Sequence, residues 1–133
     1  MHYKIACMNL YTLFIVGLGG FIGSSLRFIT VRLVDSKLNA LFPYGTLTVN
    51  IVGSFLLGMI CMLAMRKVGI SENARLFLGV GFCGGFTTFS AFALENFNLI
   101  EEKLIGTAVL YIVVSVVMGV LALGVGIWAS RFL

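Results

Sequence analysis

The chain has 133 residues, 60% hydrophobic and 11% charged, less than half the roughly 25% charged residues of an average soluble domain. At a mean hydropathy of +1.11 so few polar groups cannot cover a globule, which excludes a soluble enzyme, a disordered tail and a disulfide-stapled secreted module. The net charge of +4 comes from Lys and Arg scattered around apolar stretches, the pattern of charge at lipid headgroups rather than of a nucleic-acid surface.

A bilayer core about 30 Å thick needs about 20 apolar residues per crossing helix, and four charge-free stretches are near or above that length: 10–26, 46–65, 76–94 and 104–130. The first carries Gly19, Gly20 and Gly23, small residues that let helices approach closely. It extends past Arg27 to Arg32 if those side chains snorkel or face a wet cavity. Arg27 then serves either to draw anions into a vestibule or as an interfacial anchor. In the second span Thr46, Asn50 and Ser54 are spaced by four and share one helical face. Asn50 must find partners inside the bundle, as glue between helices or as one station of a polar track.

The third span places Gly79, Gly81, Gly84 and Gly85 together with Thr87, Thr88 and Ser90 where a crossing helix ordinarily has Leu, Ile and Val. Gly is a poor helix former, by about 1 kcal/mol relative to Ala, so the adjacent Gly84 and Gly85 predict a break at mid-membrane. Freed backbone is tolerated there only inside protein or along a wet cavity, and discontinuous helices build ion sites. A glycine face for close packing is the other reading. Phe82, Phe86, Phe89 and Phe92 form a stripe at helical spacing, which packing alone explains. An aromatic ring also has a positive edge, so Phe89 and Phe92 can solvate an anion. The fourth span sets Tyr111 and Ser115 four apart.

By these boundaries no acidic or basic side chain lies inside spans two to four, which argues against proton-coupled transport. The connections, residues 35–44, 66–75 and 95–103, are short and imply an up-down bundle of antiparallel neighbours. His2 is the single histidine, and Cys7, Cys61 and Cys83 are too widely separated for a metal or redox motif. No catalytic dyad, metal cluster or cleavable signal peptide is expected. Four spans put both ends of the chain on one side with Lys4, Arg66, Lys67, Arg75 and Arg131. The other side holds Arg27, Arg32, Lys37 and Lys103. Orientation follows the excess of Lys and Arg in cytoplasmic loops, and this near tie permits insertion in both directions or a weakly held single one.

Four blocks stand out: Gly19-Gly20-x-x-Gly23-x-x-x-Arg27; Pro43-Tyr44-Gly45-Thr46-x-x-Val49-Asn50-x-x-Gly53-Ser54-Phe55-Leu56-Leu57-Gly58; Gly81-Phe82-Cys83-Gly84-Gly85-x-Thr87-Thr88-Phe89-Ser90-x-Phe92; and Tyr111-x-x-x-Ser115. Together they resemble the Fluc (CrcB) family of bacterial fluoride channels. They follow the family's order and cover nearly the whole chain. The third block is the most specific. The resemblance implies an all-α integral membrane fold of four transmembrane helices, the third broken, assembled as an antiparallel dual-topology homodimer with two fluoride pores. It implies that Phe89 and Phe92 turn ring edges to the ion and that Asn50, Ser90, Tyr111, Ser115 and Thr46 line its route. Arg27 matches the vestibule arginine. Gly84 and Thr87 match the positions whose backbone carbonyls hold a structural sodium ion (Na+) at the dimer axis. Ala91 stands where the family often has Thr.

The implied activity is passive export of fluoride across a bacterial inner membrane, with no enzyme chemistry and no nucleic-acid partner. Two other classes share the four-span plan. A small drug exporter needs a carboxylate deep in its first span, which residues 10–26 lack. A non-transporting assembly subunit would use the Gly and Phe patterns for packing alone.

Overall fold

Four helical crossings form the molecule, Leu10–Leu38, Tyr44–Met65, Glu72–Glu101 and Ile105–Phe132, in a computed structural model that describes residues 9–38, 40–66 and 70–133. His2, Lys4, Cys7 and Lys67, used above for metal, redox and topology readings, lie outside the described residues. Helix α1 (Leu10–Leu38) starts where Asn9 Oδ1 accepts the Thr12 N–H at 2.8 Å, an N-cap that fills an otherwise unpaired donor. It runs well past the expected limit of Arg32. No Gly or Pro interrupts it after Gly23, and the Arg32 guanidinium lies 5.3 Å from the Phe28 ring centre, a contact that suits a cation at the bilayer edge.

Helix α2 (Tyr44–Met65) opens directly after Pro43, whose fixed φ and missing N–H suit the start of a helix. The Asp35 carboxylate of α1 accepts the Gly45 N–H at 2.8 Å. A Cβ at position 45 would lie 2.9 Å from both Asp35 oxygens and from Val31 Cα, so only glycine lets α1 close on this helix start. Helix α6 (Ile105–Ala129) continues into a short 3₁₀ turn, Ser130–Phe132.

The third crossing is built in pieces: α3 (Glu72–Arg75), a π-helical stretch over Leu76–Cys83, α4 (Gly84–Phe86) and α5 (Phe89–Glu101). A break does interrupt this span, but it falls after the glycine pair. Gly84 stays helical at φ −63°, ψ −35°, and the chain turns extended at Thr87 (φ −82°, ψ 159°) and Thr88 (φ −152°, ψ 125°). The reason is side-chain competition: the Thr88 hydroxyl and the Asn50 amide offer the backbone partners outside the helix, which two glycines cannot. The segment after the break is also longer than expected. Residues 95–101 continue α5 instead of forming a loop, so Glu95 lies within the crossing. That corrects the expectation of no charged group there.

Close backbone approach holds the bundle together. A Cβ on Gly23 would strike the Phe82 carbonyl of the third crossing. On Gly58 it would strike the Leu123 carbonyl, and on Gly126 the Phe55 carbonyl. The last two contacts bring α2 and α6 to backbone distance, and the pairing of Ser54 with Gly119 and of Arg66 with Arg131 shows that the two helices run in the same direction. Between α5 and α6 the chain reverses through Lys103, whose φ is 61°. There Leu104 N–H donates to Leu99 O at 2.8 Å and Lys103 N–H to Ile100 O at 2.9 Å, the paired bonds of a Schellman helix end. The small core at this end joins Leu99, Ala108 and Tyr111 with Phe42, Leu47, Phe92 and Leu104.

Candidate functional site

The chain break creates the site. Asn50 and the Thr88 backbone bind each other reciprocally: Asn50 Nδ2 donates to Thr88 O at 3.0 Å, and Thr88 N–H donates to Asn50 Oδ1 at 2.8 Å. This pairing satisfies the backbone that the break exposes, as the membrane interior demands. The Thr88 hydroxyl caps α5 by accepting the Ala91 N–H at 3.1 Å. A helix leaves its first four amides without intrahelical partners. Two are now filled, Thr88 and Ala91. The Phe89 and Ser90 amides have none among the described residues.

Phe89 borders a cavity of about 290 Å³ that is also lined by Asn50 and Ser54 of α2, Thr87 and Thr88 of the break, Phe92 of α5 and Ser115 of α6; Ser90 is not part of its wall. The Ser115 hydroxyl is buried and has no hydrogen-bond partner among the described residues. Phe89 and Phe92 stand 5.6 Å apart between ring centres at a 45° tilt. Phe89 is 79% exposed, so the cavity has one aromatic wall that is left uncovered among the described residues.

One helical turn away lies a second polar tier. The Glu95 carboxylate accepts the Thr46 hydroxyl at 2.6 Å through Oε1 and the Tyr111 hydroxyl at 2.8 Å through Oε2. Thr46 and Tyr111 are fully buried, and Glu95 is half-buried. The Phe92 ring joins the tiers, 5.0 Å from the Tyr111 ring and on the cavity wall. Because α2 and α6 run in parallel, the four-residue steps Thr46 to Asn50 and Tyr111 to Ser115 both move about 6 Å along the same axis. The result is a stacked track of neutral donors with one carboxylate at the Thr46 end.

The structure thus gathers Asn50, Thr87, Phe89, Phe92 and Ser115 around one cavity and sets Thr46 and Tyr111 beside it. Ser90 is exposed, its hydroxyl 3.3 Å from that of Thr88. Arg27 remains half-buried on α1, and Gly84 lies on the outer face with open space where a Cβ would be. Neither is among the residues that line the cavity. Glu95 was missed. Its three-residue spacing from Phe92, which sets both on one helical face, was the available signal. Thr88 was noted only as part of a polar segment, yet it supplies the backbone partner of Asn50 and the cap of α5.

The family described as "CrcB-like protein, Camphor Resistance (CrcB)" matches residues 14–127. The chain is 43% identical over 122 residues to a protein of Chelativorans sp. named "Fluoride-specific ion channel FluC", covering 92% of this chain and 98% of that one. A protein of the same name from Azobacteroides pseudotrichonymphae is 41% identical over 120 residues, covering 90% and 96%. Another from Novosphingobium aromaticivorans is 48% identical over 118 residues, covering 87% and 93%.

Proposed function

The chain belongs to the CrcB-like family, and from that premise we propose that it is a fluoride-specific channel whose route runs through the cavity at the chain break. The observation that carries this reading is the set of unfilled donors at the break: the Phe89 amide and the buried Ser115 hydroxyl on the cavity wall, with the Ser90 amide next to them in sequence. Helix N-termini favour anions through their free amides and the helix dipole. A small, strongly hydrated anion must exchange water for donors before it can cross. Here the donors are uncharged, so they compensate its dehydration without trapping it. The second amide hydrogen of Asn50 adds one more, and the ring edges of Phe89 and Phe92 add weak positive potential on the apolar wall.

Tyr111 and Thr46 continue the path, with Glu95 as the acceptor that orients both hydroxyls. An approaching anion competes with Glu95 for these protons, so this carboxylate sets how firmly the second tier holds it. Arg27 serves at the approach, raising local anion concentration. Flow is passive. An inside-negative potential is worth about 2.3 kcal/mol per charge per 100 mV and drives the anion outward across a bacterial inner membrane.

The working unit is an antiparallel homodimer of oppositely inserted copies with two pores. Three features support this: the near tie in Lys and Arg, the uncovered Phe89, and the open outer face at Gly84. Gly84 and Thr87 also fit a structural sodium ion. In a continued helix the Thr88 N–H would close on the Gly84 carbonyl, but it donates to Asn50 instead, leaving that oxygen free. Carbonyl oxygen suits a hard cation, and one chain supplies only part of a coordination shell, so a second copy completes it. The ion would supply fixed positive charge and tie the two breaks together.

Purified protein sealed in liposomes tests the reading. Fluoride efflux under a potassium gradient with no chloride efflux is expected. Phe89→Ile should abolish it while leaving the protein assembled, and Ser115→Ala should reduce it. Chloride efflux equal to that of fluoride would overturn the selectivity, and undiminished flux in Phe89→Ile would remove Phe89 from the route.

A further inference from the structure

A second cavity, of about 350 Å³ and wholly apolar, lies between α2 and α6, walled by Val52 and Phe55 on one side and Leu121 and Val125 on the other. It shares no residue with the polar cavity. On α2 the face beneath it continues at helical spacing through Met59 and Met62 to Arg66. On α6 it continues through Trp128 to Phe132, beside Arg131. The helices run in parallel, so both faces finish at the same end of the molecule. There one Nη of Arg66 donates to the Arg131 carbonyl at 3.4 Å. That contact uses one of the five donors of the Arg66 guanidinium. Neither guanidinium meets a carboxylate among the described residues. Trp128 and Phe132 stand against each other at 4.9 Å, edge to face, and both are exposed.

We propose that this face holds one anionic phospholipid, its phosphate on Arg66 and Arg131 and one acyl chain in the α2–α6 groove. Six residues of helical rise separate Val125 from Arg131, about 9 Å, which puts the groove at acyl depth below a headgroup-level charge pair. An indole beside two arginines belongs to the membrane–water interface. Protein–protein contact centres, by contrast, are depleted of charge, so two unpaired cations at the rim fit an anionic lipid better than a second copy.

The test is native mass spectrometry of the purified full-length protein, titrated with phosphatidylglycerol or with phosphatidylcholine of the same chains. Retention of phosphatidylglycerol in preference is expected. R66Q/R131Q should bind it about 30-fold more weakly, from about 1 kcal/mol per cation near the headgroup. Leu121→Trp, which fills the groove, should weaken both lipids alike. Equal retention of the two lipids, unchanged binding in R66Q/R131Q, or a drop in oligomeric state with Leu121→Trp would each overturn the site. Fluoride efflux from the same preparations reports on the channel separately, because none of these residues lines the polar cavity.

Discussion

Glu95 holds two hydroxyl donors with its two oxygens, and that arrangement explains how a carboxylate persists in this crossing. Removing the Tyr111 hydroxyl while keeping the ring isolates the effect. Tyr111→Phe should cost about 1–3 kcal/mol, because Oε2 of Glu95 loses its partner while ring packing against Phe42 and Phe92 is kept. A thermal melt in detergent measures this, and an unchanged midpoint would show that water satisfies the carboxylate instead. The residue was hidden from a sequence reading for a physical reason: ending each span at its first charge assumes a bare ion. A carboxylate that accepts from Thr46 and Tyr111 is not bare. The polar residues that did reveal themselves, Asn50 and Ser115 above all, were legible because four-residue spacing fixes which side chains share a face.

At the scale of helices, the third crossing shows which local signals decide a break. Glycine content predicted the right region and the wrong residues: Gly84 and Gly85 tolerate the helix, whereas the chain leaves it at Thr87 and Thr88 because Asn50 pairs with the Thr88 backbone and the Thr88 hydroxyl takes the Ala91 N–H. That competition depends on a partner 38 residues away, which no local window contains. The helix ends give two further predictions. Lys103 sits in the left-handed region, which costs a non-glycine residue roughly 1–2 kcal/mol. Lys103→Gly should therefore raise stability by about 0.5–1 kcal/mol after the looser unfolded chain is counted, read as a higher melting midpoint; a lower one would mean that the Lys103 charge at the helix end outweighs the strain. Between α2 and α6, Gly58→Ala forces the Leu123 backbone to move and should destabilise by about 1–3 kcal/mol. Gly106→Ala, in the first turn of α6 with open space around it, should raise the midpoint slightly, by up to about 1 kcal/mol from helix propensity. Equal behaviour of the two variants would show that the α2–α6 backbones are not held at contact distance.

For the whole molecule, the balance of Lys and Arg is itself a property that can be pushed. Changing Glu72 and Asn73 to Lys adds two cations at one end. Changing Asn98 and Glu101 to Lys adds two at the other. Each variant alone should insert in one direction and lose fluoride efflux. Expressed together, they should recover it. Full efflux from either variant alone would rule out a requirement for opposed copies. Accessibility of tags on both membrane faces would verify the orientation of each. The four crossings and their order were plain from hydropathy, because a bilayer leaves so few ways to hide a backbone. The proposed pairing of opposed copies was not, because the contacts that would decide it lie outside a single chain.

Under the proposed pairing of opposed copies, the exposed wall at Phe89 bears on the life of a newly made copy. Until it meets its counterpart, its aromatic rim and the bare amides beside it lie open to hydrocarbon, where they find no donors or acceptors. A solitary subunit is thus the least comfortable form of the molecule. Cellular abundance should then track how often nascent copies encounter each other, with surplus ones cleared by membrane proteases.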